Sequence, residues 1–213
     1  MPLTEIPRRT PQHLRDLRFR SFSRPDGLWD IEGELHDSKA VDAVLQGGRR
    51  IPAGKAIHHM WIRATVNAAL QVQAIEVAMD SHPMGHCPEA AAALQKMVGC
   101  QMGRGWRKAI QEHLGGVASC THLRELLFNM ATAAFQSVPG VFAGGSPEQP
   151  PRQLGQCLGW DFDGPGVAAY YPQFVHWHAK ARAADAPGAD APGADSPAAE
   201  TANPAHTAAQ PPA

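Results

Sequence analysis

Two cysteines and several histidines carry the chemistry that this sequence offers. Asp80, His82, His86 and Cys87 crowd into the turn Asp80-Ser81-His82-Pro83-Met84-Gly85-His86-Cys87, and Cys120 is followed two residues later by His122. Both cysteines stand at expected helix starts, Cys87 ahead of Pro88 and Cys120 ahead of the apolar run that begins at Leu123. Unpaired N–H groups and the helix dipole at such positions favour a thiolate, the form that binds metal or attacks an electrophile. A further pair, His58-His59, opens an expected strand. Nitrogen and sulfur donors of this kind suit zinc or iron, not calcium or magnesium. The competing reading is structural, because free cysteine is among the most buried residue types and loop histidines are commonly solvated. Cys100 has core-like neighbours and reads as packing, Cys157 as either a fourth ligand or a buried thiol, and His176 and His178 as exposed residues flanking Trp177.

These residues must be positioned by elements of two periods. Trp29, Ile31, Gly33 and Leu35 alternate with Asp30, Glu32, Glu34 and His36, which predicts a half-buried strand over Leu28 to His36 with one acidic face. Alternation returns with Met60, Ile62, Ala64 and Val66 against His59, Trp61, Arg63 and Thr65. A third strand is expected over Leu70 to Met79, its apolar phase slipping between Val72 and Ile75 as a bulge would make it do. The last two pair most simply as an antiparallel hairpin across Asn67 to Ala69. That hairpin brings the His58 end and the Asp80 to Cys87 turn to the same end of the sheet.

The period then lengthens to about 3.6. Ala90, Leu94, Met97 and Val98 predict one helix; Trp106, Ile110 and Leu114, bounded by Gly105 and Gly115, a second; and Leu123, Leu126, Leu127, Met130 and Ala134 a third over Thr121 to Val138. Ser119 or Thr121 is the expected cap of the third. Beyond it only a short apolar segment around Tyr170 to Trp177 stands out. Strands first and helices after predict an α+β domain, with helices on one face of a small antiparallel sheet.

The chain has 213 residues, a net charge of −1 and four cysteines. That length suits one domain with appendages, and the charge argues against a general nucleic-acid binder. No apolar run approaches membrane-spanning length, Met1 to Thr10 lacks a secretory signal's apolar stretch, and no C-x-x-C pair is present, so a cytoplasmic protein is expected, without contact with a membrane. Residues 182–213, with six prolines and no aromatic residue, read as a disordered Ala/Pro/Gly/Asp tail. Residues 1–24 read as a basic arm, in which Arg8, Arg9, Arg15, Arg18, Arg20 and Arg24 face only Glu5 and Asp16, and residues 25–181 as the domain. No nucleophile elbow, phosphate loop, dinucleotide fingerprint or zincin motif occurs.

The segments Asp26-Gly27-Leu28-Trp29-Asp30-Ile31-Glu32-Gly33, Asp37-Ser38-Lys39, Ile57-His58-His59-Met60, Cys87 and Cys120-Thr121-His122-Leu123 resemble the bacterial family called domain of unknown function 2889. A more distant resemblance is to the U-type scaffold proteins of iron-sulfur cluster assembly. It sets His58 or His59 where that family has its first cysteine, Cys87 in Gly85-His86-Cys87 at the second, and Cys120 or His122 at the adjacent His and Cys. Only two thiolates stand in that trio, a departure from the three cysteines of the scaffold family, so the donor types point instead to one zinc, or alternatively iron, held by mixed ligands from His58, His59, Cys87, Cys120 and His122, with Asp80 of the adjoining turn as a further ligand or acid/base group. The expected functions are a metal- or sulfur-transfer accessory that docks a protein partner, or a small metal-dependent enzyme, of hydrolase or lyase type, acting on an organic acid or thioester. A metal-free interaction module is the third.

Overall fold

A computed structural model describes residues 4, 8–140, 146 and 149–177. The expected tail 182–213 and His178 lie outside the described residues. Four long strands, β1 (His13–Ser23), β2 (Trp29–Lys39), β5 (Ala56–Val66) and β6 (Val72–Ser81), form one antiparallel sheet in the order β1-β2-β5-β6. Between β2 and β5 the chain makes a small ribbon of β3 (Ala43–Val44) and β4 (Arg50–Ile51). The helices follow: α1 (Ala90–Ala93), α2 (Trp106–Leu114), α3 (Thr121–Ser137) and α4 (Pro165–Tyr170). The domain is therefore α+β, as strands followed by helices imply.

Alternation decides which face of the sheet is covered. Ile31 and Leu35 on β2, with Met60, Ile62, Ala64 and Val66 on β5, are at most 1% exposed and face the helices. Leu123, Leu126, Leu127, Met130 and Ala134 of α3 and Trp106, Ile110 and Leu114 of α2 close the core from above. Each large side chain so buried contributes roughly 1.5–3 kcal/mol. The opposite face carries Arg18, Arg20, Glu32, Glu34 and Arg63 in cross-strand ion pairs. The phase slip expected in the third strand is present: Thr65 pairs with Ala74 and Val66 with Val72, which leaves Gln73 as the extra residue.

Three expectations are corrected. The basic arm is half wrong, because His13–Ser23 is an edge strand paired with β2 along its whole length. The helix expected from Ala90 to Val98 is a single α-turn between the 3-10 turns Cys87–Glu89 and Leu94–Met97. Leu94 and Met97 still reach the core, but Val98 is extended and 42% exposed, where the chain turns away at Gly99. Cys120, whose side chain makes no capping bond to the helix backbone, occupies the cap of α3 in place of Ser119 or Thr121. A small second cluster of Leu154, Phe162, Val167 and Phe174 forms where sequence offered only one apolar segment. Among the described residues no helix is long and apolar enough to cross a membrane.

Candidate functional site

The inward row of β2 continues past Leu35 to Asp37, and the inward row of β5 begins at His58. Register places Asp37 directly opposite both Arg15 on β1 and His58 on β5. One cross-strand row thus holds a cation, an acid and an imidazole at the end of the apolar layer. The first turn of α3 sets His122 above this row, its ring centroid 3.8 Å from that of His58. Glu125, one turn further along, accepts a hydrogen bond from Arg15 Nη1.

Asp37, 2% exposed, is the hub. Arg15 grips it bidentately, with Nε to Oδ1 and Nη2 to Oδ2 both at 2.7 Å. His58 Nδ1 lies 3.1 Å and His122 Nε2 3.7 Å from Oδ2, while His13 Nε2 is 3.4 Å from Oδ1. Asp37, His58 and His122 each offer a donor atom within 4.8 Å of the others. The other nitrogen of His122, Nδ1, faces Cys120 Sγ at 3.6 Å.

Burial by itself would raise the Asp37 carboxyl, but the hydrogen bonds and charge of Arg15, helped by the two imidazoles, hold it below the ordinary carboxylate range. Both imidazoles are pushed below the usual histidine range, chiefly by burial. His122 adds to the effect at His58 and Arg15 adds to it at His122, while Asp37 opposes it at both. Near neutral pH the site therefore combines an ionised carboxylate with two neutral imidazoles, the protonation states in which these groups act as metal ligands.

Of the residues singled out from sequence, the fold brings His58 and His122 together and sets Cys120 beside them. It does not bring in the others. His59, one residue out of phase with His58, points to the open face, where Nε2 meets Glu34 Oε1 at 3.0 Å and the ring lies against Trp61. Asp80 is exposed, unpaired at a bulge of β6 between Met79 and Ser81, and outside the Asp37 group. Cys87 opens its 3-10 turn half-buried, outside the Asp37 group. Cys100 packs partly against the core, as expected, and Cys157 is exposed. Arg15 and Asp37 escaped the sequence reading, although the alternation Ile31, Gly33, Leu35 extends to Asp37 and was the signal for it.

Two imidazoles and a carboxylate form a donor set suited to zinc or ferrous iron, and three protein donors leave coordination positions open. Comparison with curated proteins finds no match. No solved structure matches either, so the resemblance to cluster-assembly scaffolds has no support there. Residues 13–136 match the sequence profile of the family described as protein of unknown function (DUF2889), and the chain belongs to that family.

Proposed function

We propose that the protein holds one zinc or ferrous ion between Asp37, His58 and His122. The observation that carries this reading is the convergence of three donor atoms, from β2, β5 and α3, within 4.8 Å around a buried carboxylate. Charge supports it. Arg15 offsets only one of the two acids it touches, Asp37 and Glu125, so with neutral imidazoles the cluster carries a net negative charge. Cys120 contacts the nitrogen of His122 that faces away from Asp37, which favours a role in orienting the ring over one as a ligand. An ion bound there would polarise a carbonyl or activate a water. Open coordination positions and a donor trio without thiolate favour a small metal-dependent enzyme acting on an organic acid or thioester over a metal- or sulfur-transfer accessory.

A second reading rests on the bidentate Arg15 grip. Asp37 already has charged and hydrogen-bonded partners, and such a row can be purely structural. Metal analysis after dialysis, with zinc and ferrous titrations of the apoprotein, separates the two. The metal reading expects about one equivalent in the parent protein, loss of binding in His58→Ala and His122→Ala, and unchanged binding in Cys87→Ser. A parent protein that stays folded and binds neither ion leaves the structural reading standing.

A further inference from the structure

The two edges of the sheet differ. On β6 the neighbouring chain covers part of the edge: Val72 exchanges backbone hydrogen bonds with Gly99 and Cys100, and Gln95 Nε2 donates to the Ile75 carbonyl. At the two ends of β1, the flanking Gln12 and Arg24 bond to the β2 side, through the Ala40 N–H and the Leu28 carbonyl. Even-numbered residues therefore face β2, and the odd ones from His13 to Ser23 turn their N–H and C=O groups outward. Among the described residues no strand pairs with them. The pairing with β2 runs all 11 residues without a bulge. A long regular edge of this kind is a template for another strand.

The side chains along this edge show which strand fits. Leu14, Leu17 and Phe22 are 54%, 39% and 46% exposed. We infer that β1 pairs with β1 of a second copy, antiparallel about a twofold axis at Arg18, to make one continuous eight-stranded sheet. In this register Leu17 lies opposite Phe19 of the second copy on the helix side. On the open side Leu14 lies opposite Phe22 and Asp16 opposite Arg20, and every pair occurs twice. The like-charged Arg18 pair at the axis lies between the two Asp16–Arg20 pairs, and within each copy Arg18 Nη1 is 3.6 Å from Glu34. Moving the axis to Leu17 sets Leu14 against Arg20, and moving it to Phe19 sets Arg18 against Arg20; both lose the match. Beside the edge, a groove of about 500 Å³ between β1 and α3, lined by Phe19, Ser21, Asn129, Thr132, Ala133 and Gln136, lies next to the position that Leu17 of the second copy takes.

The test is the mass of the full chain in solution, measured by light scattering and sedimentation up to high concentration. The parent protein should approach twice 22.8 kDa as concentration rises. Leu17→Pro should stay monomeric, since the N–H it removes points outward and the ladder with β2 is kept. Asp16→Arg and Arg20→Asp should each weaken the dimer about tenfold, because two symmetry-related pairs turn from attractive to repulsive. Asp16→Arg with Arg20→Asp should restore it. If Leu17→Pro fails to fold, as judged by circular dichroism, the charge exchange decides alone. A parent protein that is monomeric throughout, or a dimer that neither single charge reversal weakens, overturns the inference.

Discussion

Replacing Arg15 by alanine removes both charged donors from a carboxylate that is 2% exposed. Breaking a buried ion pair from one side typically costs about 3–5 kcal/mol, because the remaining charge is left uncompensated. Two features place this site at the lower end. Arg15 itself is 32% exposed, so water enters the space it vacates, and His58 Nδ1 stays 3.1 Å from Oδ2 as a remaining donor. The expected loss is therefore about 3 kcal/mol at pH 7.5 in urea denaturation of chelator-treated protein. The sign of its pH dependence is also set. In the parent, the Asp37 carboxyl lies below its ordinary value, so its stabilising effect is present above that value and lost as pH falls through the folded one. Without Arg15, burial dominates and raises the carboxyl, so the native variant takes up a proton before the unfolded chain does. Its deficit relative to the parent should then shrink on acidification towards pH 5. Adding Asp37→Asn to Arg15→Ala should recover about 1–2 kcal/mol, since a neutral amide is cheaper to bury than a bare charge. A deficit under about 1 kcal/mol at pH 7.5, or no recovery in the double variant, would refute the view of Asp37 as an ionised hub.

The two imidazoles make the metal-free protein acid-sensitive in a second window. Because both titrate below the ordinary range, the unfolded chain binds protons first as pH drops below about 6.5, and stability should fall by up to about 1.4 kcal/mol per pH unit for each. Urea midpoints at pH 7.5 and 5.5 measure this, and a flat profile would show that the rings are protonated equally in both states. Gly33→Ala places a methyl 3.2 Å from Met130 Cγ and Sδ and from Phe19 Cε1, which should cost about 1 kcal/mol in the same assay. Leu126→Ala, at a wholly buried position between α3 and the sheet, should cost about 3 kcal/mol and leave the protein folded near room temperature.

Strands β2, β5 and β6 and helices α2 and α3 were legible because each buries one face only, so period two or 3.6 survives in the residue types. The bulge at Gln73 was legible as a slip of phase. Strand β1 was not, since Arg15 and Leu17 alternate with Leu14, Asp16 and Arg18 and neither face reads as apolar. Its inward arginine is explained by Asp37, a partner 22 residues away that no local pattern reveals. The helix expected at Ala90 to Val98 broke into 3-10 turns, a difference of hydrogen-bond spacing to which an apolar stripe is nearly blind. At the candidate site, parity alone separates His58 from His59, because Met60, Ile62, Ala64 and Val66 put even positions inside. Cys87 drew attention by its neighbours in sequence, yet the donors that converge come from residues 37, 58 and 122, and that convergence depends on the docking of α3.

The row of Arg15, Asp37 and His58 belongs to the sheet, whereas His122 and Glu125 belong to α3, and the Arg15–Glu125 contact spans 110 residues of chain. The sheet can assemble by zipping neighbouring hairpins, but the cluster is complete only once the helix has settled on it. Any partial opening that lifts the start of α3 separates His122 from the rest while leaving the strands paired. A ligand held by all three donors would therefore lose one of them at each such opening, and its binding would slow hydrogen exchange in the first turns of α3 more than in β5.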